Sequence, residues 1–238
     1  MKKTKRAASW WSSGSTKTKS KEFLAIESGI RESTLSWKEA LLELRERGME
    51  APKLAIGDGA MSFWSALREV YPQTREQRCW VHKTANVLDQ LPKKLQPMAK
   101  KMIQEIYLSP DKTQAERGMK KFVDTFEEKY PKAVMCLTKD EEELLTFYDF
   151  PAAHFQHIRT TKSKESSFST IRLRTKKKRD CSNRKTTLAM MFKLSQQVEK
   201  GWRKLRGFKE IPFVLEGMCL AHEYLTTYGQ YLTSVILS

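Results

Sequence analysis

Two carboxylates stand where chemistry could be done. Asp58 follows the apolar run KLAI and is flanked by Gly57 and Gly59. A carboxylate at the C-terminal end of a sheet strand is a common metal or ligand contact in α/β proteins, and flanking glycines let backbone and phosphate approach. A plain Asp-Gly turn is the other reading of the same residues. Glu165 is a lone acid in a strongly basic stretch, with Ser163 as a candidate N-cap and Arg172 about two helical turns further on. A carboxylate that holds a divalent cation, beside cations that hold phosphates, suits phosphoryl transfer. A glutamate favoured at a helix start by the macrodipole is the alternative.

Cys79-x-x-His82 has the look of half a zinc site. The remaining histidines (His154, His157, His222) and cysteines (Cys136, Cys181, Cys219) offer no second pair at suitable spacing. Cys79 is therefore read as a buried thiol at a strand end, with His82 at the start of the next helix. His154 and His157 bracket Phe155 and suit either a proton shuttle or packing at a domain seam. No Gly-rich phosphate loop, GxSxG elbow or Rossmann fingerprint is present.

The elements that must position these residues alternate at first. FLAIESGIR from Phe23 suits a strand. STLSWKEALLELRERG suits an amphipathic helix, with Ser36 and Glu39 at capping-box spacing, Trp37, Leu41 and Leu44 on one face, and Gly48 at its end. KLAIG is a short strand stopping at Asp58, MSFWSALREVY a helix with Phe63, Leu67 and Val70 inward, and QRCWV (77–81) the next strand. From about 84 to 150 only helical stripes follow: Met102, Ile103 and Ile106; Met119, Phe122, Val123 and Phe126; Leu144, Leu145 and Tyr148. Pro92, Pro110, Pro131 and Pro151 punctuate them. A last helix is expected from about Thr187 to Leu205, with Leu188, Met191, Leu194, Val198 and Trp202 inward. This pattern predicts an α/β fold with an all-helical insertion.

Charge narrows the partner. The 238 residues carry 44 Lys and Arg against 28 Asp and Glu, a net charge of +16. Such an excess favours a polyanion, because each cation placed near a phosphate releases condensed counterions. Nucleic acid is the first candidate and an anionic membrane surface the second. Between Arg159 and Lys185 eleven basic residues face only Glu165 and Asp180. Residues 1–21 carry seven Lys and Arg and no acid, which suits a mobile basic tail. The scattered cysteines and the start without an apolar stretch suit a reducing cytoplasm. The apolar stretch 211–238 is broken by Glu216, His222 and Glu223, too soon for a membrane span.

Several segments together resemble the Mutator-type bacterial insertion-sequence transposases. They are GIRESTLSWKEALLELRERG, APKLAIGDGAMSFWSALREVYPQTREQRCWVHKTANVL, FYDFPAAHFQHIRTTKSKESSFSTIRLRTKKKRDCSNR and LAMMFKLSQQVEKGWRKL, in the family's order, over roughly residues 21–207. The resemblance implies an RNase H-like core in which an Asp-Asp-Glu triad holds Mg²⁺ (or Mn²⁺). Asp58 matches the second acid and Glu165 the third. Cys79 and His82 match the family's Cys-x-x-His signature near the site. Arg172 matches a basic position that contacts DNA, joined in this reading by Arg159, Lys162, Lys164, Arg174, Lys176, Lys177, Lys178 and Arg179.

The first acid has no counterpart in residues 1–22. The resemblance thus implies a core incomplete at its N-terminal strands and a copy inactive alone. The usual Asn-Pro-Ile before the Glu-Ser is here Lys162-Ser163-Lys164.

The expected division is a basic disordered tail over 1–21, core over 22–83, helical insertion over 84–150, and core with the basic DNA-binding segment over 151–207. The stretch 208–238 is unassigned. Expected partners are insertion-sequence ends, target DNA, and a second copy or a full-length transposase, in a cytoplasmic, nucleoid-associated setting. Two other readings stay open: a non-catalytic DNA-binding protein that interferes with full-length transposase, and a different RNase H-like nuclease.

Overall fold

A computed structural model describes residues 24, 33–161, 184–202, 206–212 and 234–236. The first described helix, α1 (Thr34–Glu46), begins one turn earlier than its sequence cap suggests. Ser33 is the N-cap, its hydroxyl accepting from the Ser36 amide, and Ser36 completes the capping box in return. Ser36 and Glu39, the expected pair, therefore both lie inside the helix. A hydroxyl three residues before another hydroxyl satisfies the same two orphan amides as a Ser–Glu pair. The strand expected at FLAIESGIR falls outside the described residues except for Leu24, whose carbonyl accepts from Arg47.

The central element is β1 (Leu54–Gly57), buried at every residue. It pairs in parallel with β2 (Arg75–Arg78) on one side and β3 (Ser234–Ile236) on the other, in the order β2-β1-β3. Between β1 and β2 runs α2 (Met61–Val70), the crossover that a parallel pair requires. Side chains of β1 alternate between two cores, as the strand period demands. Ala55 joins Leu41 and Leu44 of α1 with Phe63, Trp64, Leu67 and Val70 of α2. Leu54 and Ile56 face the other way, into the helical part. Parallel strands buried on both faces read as continuous apolar runs, which is why KLAIG was legible.

β2 ends three residues before the expected end of QRCWV and starts two residues before its expected start. Arg75–Arg78 pairs with Leu54–Gly57, and the Cys79 amide still reaches the Gly57 carbonyl at 2.8 Å. Cys79 is nevertheless the N-cap of α3 (Trp80–Leu88). Its apolar Cys-Trp-Val run mimics a strand, but Trp80 faces the helical core instead.

Helices then follow without interruption: α4 (Gln96–Leu108), α5 (Lys112–Phe126), α6 (Pro131–Thr138) and α7 (Glu141–Leu145). Ile103, Ile106, Met119, Phe122 and Phe126 form their common interior, which also takes in Leu54 and Ile56 of the sheet. Two short 3₁₀ turns and α8 (Phe155–Ile158) lead back to the sheet. The long helix expected over 187–205 is α9 (Arg184–Glu199), three residues earlier at its start and ending before Trp202. Met191 is buried on it, and Leu194 and Val198 are half-buried. The described residues are thus mostly helical around a small parallel sheet. Among them no helix is long and apolar enough to cross a membrane.

Candidate functional site

The C-terminal ends of β1 and β2 lie side by side, and Asp58 and Cys79 stand there. Asp58 follows β1 directly and is half-buried. Its Oδ1 accepts from the Ala60 amide at 3.1 Å, an Asx-type turn that fixes the carboxylate against its own backbone. Gly57 is required by its neighbour and Gly59 by its backbone conformation. A Cβ on Gly57 would lie 2.7 Å from the Trp64 ring. Gly59 sits at φ 98°, and a Cβ there would fall 0.6 Å from Arg78 Nη1.

Cys79 lies across the ladder at the end of β2 and is fully buried. Its Sγ accepts from the Thr161 amide at 3.3 Å and sits 3.3 Å from the Thr161 hydroxyl. Burial pushes the Cys79 thiol up, but hydrogen bonds from His82 and Thr161 outweigh it and hold the group below its ordinary value. The Trp80 amide donates to the Arg159 carbonyl at 3.1 Å. The chain at 159–161 is therefore stitched to the residues just after β2. The Cys79-x-x-His82 signature gave no structural reason in the sequence; in the structure Cys79 is a seat for the returning chain.

Arg159 was grouped with the DNA contacts. Its Nη1 donates to the Tyr107 carbonyl at 2.8 Å and its guanidinium stacks 5.5 Å from the Tyr107 ring, with burial drawing its pKa down. The side chain thus fastens the 159–161 stretch to α4. Glu165, Lys162, Lys164, Arg172, Arg174, Lys176, Lys177, Lys178 and Arg179 lie outside the described residues, as does the Ser163 cap.

His154 and His157 both meet the chain after α9. His154 Nε2 donates to the Gly207 carbonyl at 3.0 Å, and His157 Nε2 accepts from the Arg206 amide at 3.0 Å. Of the two roles left open for them, these contacts supply packing at a seam.

Three residues escaped sequence reasoning. Arg78, Lys83 and Asp140 form a charged cluster beside the Asp58 turn. Asp140 Oδ2 lies 3.1 Å from Arg78 Nε and pairs with Lys83 Nζ, which also donates to the Cys136 carbonyl at 2.6 Å. Lys83 is fully buried; burial lowers its pKa, and Asp140 opposes that shift. Its only signal in the sequence was a lysine between Trp80 and Val87 on the inward face of a helix. Asp140 gave none, because its partners lie on the far side of the insertion. Gln77 and Trp80 both donate to the Leu144 carbonyl, at 3.1 and 2.9 Å, so the insertion is bolted to β2 at the same place.

Comparison with known proteins identifies the family. A family profile described as "Transposase, Mutator family" matches residues 5–205, reaching further into the basic N-terminal segment than the resemblance legible by eye. The transposase for insertion sequence element IST2 of Acidithiobacillus ferrooxidans is 52% identical over 190 residues, covering 79% of this chain and 64% of that protein. The transposase for insertion sequence element IS6120 of Mycolicibacterium smegmatis is 48% identical over 197 residues, covering 83% of this chain and 61% of that protein. The corresponding transposase for ISRM5 of Rhizobium meliloti (strain 1021) is 28% identical over 188 residues. The chain spans less than two thirds of the length of each of these relatives.

Proposed function

The chain belongs to the Mutator family of transposases, and from that premise we propose that it serves metal-dependent DNA cleavage and strand transfer, with Asp58 and Glu165 as two acids of an RNase H-like site. The observation that carries this reading is the bond from the Thr161 amide to Cys79 Sγ. It seats the chain four residues before Glu165 at the end of β2, next to the strand that delivers Asp58. That nearness along the chain supports the reading in which Glu165 acts together with Asp58.

The donor chemistry fits a hard divalent cation. Asp58 offers carboxylate oxygen at a half-exposed strand end, whereas the softer Cys79 thiol is buried and engaged by Thr161. Mg²⁺ prefers oxygen and is held by one or two carboxylates plus substrate phosphates. When bound, such an ion supplies Lewis-acid activation of the attacking oxygen and stabilises charge on the leaving one.

The protein's own part is placement. The Ala60 amide orients Asp58, and Cys79 and Arg159 hold the returning segment. The basic residues from Lys162 to Arg179 grip the DNA backbone through charge. DNA is the proposed substrate and partner, as insertion-sequence ends and as target.

Strand transfer on DNA carrying insertion-sequence ends, in Mg²⁺, tests the assignment. With a full-length transposase supplied as partner, Asp58→Ala and Glu165→Ala are each expected to abolish the chain's contribution to transfer, with DNA binding retained. Full activity in either variant removes that residue from the site. Salt-dependent binding without strand transfer in the unmodified chain would instead favour a DNA-binding protein that acts on other transposase copies.

A further inference from the structure

Arg78 is the last residue of β2, opposite Gly57 in the ladder, and its side chain is only 12% exposed. Arginine is seldom buried this far unless its charge is used. Its Nε faces Asp140 Oδ2 at 3.1 Å. The other end of the fork lies against the Asp58 turn: a Cβ on Gly59 would fall 0.6 Å from Nη1 and 2.1 Å from Nη2. Neither terminal nitrogen makes a hydrogen bond or ion pair with a described residue.

Asp140 is shared between Arg78 and the buried Lys83, so it does not saturate the guanidinium. The fork lies beside the backbone of Gly59, where the lack of a side chain leaves it room. A planar fork whose two terminal nitrogens are uncommitted among the described residues matches the geometry of a phosphodiester.

We infer that Arg78 binds a non-bridging phosphate oxygen of the DNA strand at Asp58, its guanidinium aimed by Asp140. Sequence alone grouped the phosphate contacts in the basic stretch 159–185 and gave Arg78 no role. The inference rests on the proposed reading of Asp58 as a site carboxylate. It adds a contact on the opposite side of the turn, from β2, with Asp140 of the helical insertion as its positioning residue.

Binding of the full chain to duplex DNA, measured against salt concentration in EDTA, tests this without metal or turnover. Each phosphate contact contributes about 0.9 to the slope of log affinity against log salt. Arg78→Met is expected to lower the slope by about that amount and to weaken binding about tenfold at fixed salt, as for one charge-assisted hydrogen bond. Arg78→Lys keeps the charge and is expected to restore the slope. Arg78→Met leaves Asp140 paired with Lys83, so no buried charge is stranded and the fold should survive. Should Arg78→Met fail to fold, Arg78→Gln, which keeps a hydrogen-bonding end toward Asp140 but no charge, is expected to lower the slope by the same amount, and an unchanged slope there overturns the inference.

An unchanged slope, with affinity within twofold in Arg78→Met, overturns the inference. Asp58→Asn, assayed for strand transfer in Mg²⁺, separates the two readings. Transfer lost in Asp58→Asn with an unchanged Arg78→Met slope sinks the Arg78 contact alone. Transfer retained there with a reduced Arg78→Met slope supports Arg78 as a phosphate contact and removes Asp58 from the site.

Discussion

Cys79 illustrates what a single residue's surroundings add to its type. Its sulfur accepts from the buried Thr161 amide at 3.3 Å. A buried amide that loses its acceptor bears the full desolvation penalty, about 1–3 kcal/mol. Cys79→Ala should therefore lower unfolding free energy by roughly 2 kcal/mol in denaturant titration and speed hydrogen exchange at Thr161. Unchanged exchange there would show that the thiol does not hold the returning chain. The pH dependence follows the depressed thiol pKa. Below the ordinary value of 9.0 the unfolded chain binds more protons at this group, so its stabilising contribution grows as pH rises through the folded pKa and is lost as pH falls. That slope should vanish in Cys79→Ala. The sequence placed Cys79 at a strand end and His82 at a helix start, and both stand there. It could not show that the thiol's partner is Thr161, because the contact joins two ends of the insertion.

Elements were legible wherever periodicity had one interpretation. KLAIG, flanked by Pro52 and Asp58, and MSFWSALREVY, with its inward Phe63, Leu67 and Val70, both stand where the pattern put them. Boundaries failed where local chemistry was degenerate, at the Ser33/Ser36 cap and the Cys79–Val81 run. Tyr148 carries a prediction at this scale. It lies between α7 and α8, and its hydroxyl reaches the Ile106 and Ser109 carbonyls, each at 3.0 Å, closing the end of α4. Burial, the largest influence, pushes its phenol up to about 12, against the pull of the Arg159 charge. The neutral form is thus favoured by folding. Its contribution is complete below pH 10.0 and is lost as pH rises from there toward about 12. Tyr148→Phe should cost about 1 kcal/mol at neutral pH and should flatten that alkaline loss. An equally steep decline in the variant would place the titrating group elsewhere.

At the scale of the whole molecule, the helical insertion is built into the site's foundation. Leu54 and Ile56 of β1 share one core with Ile103, Phe122 and Leu144, so the sheet and the insertion cannot part without exposing both. The Asp140 bridge sits at the edge of that shared core, with Lys83 wholly enclosed and Asp140 at 22% exposure. Removing one partner of a buried pair costs about 3–5 kcal/mol, because the other charge is stranded. Asp140→Asn strands both Lys83 and Arg78 and should fall in that range. Lys83→Met leaves Asp140 paired with Arg78 and should cost far less. The double variant Lys83→Met/Asp140→Asn should be more stable than Asp140→Asn alone, since only Arg78 then lacks its carboxylate. The pH profile gives an independent check. Burial lowers the Lys83 pKa, so the unfolded chain binds more protons below 10.5 and stability rises with pH through the folded value. Lys83→Met should remove that rise. Should the single and double Asp140 variants melt together, or the rise be as steep without Lys83 as with it, the bridge would be peripheral to the shared core.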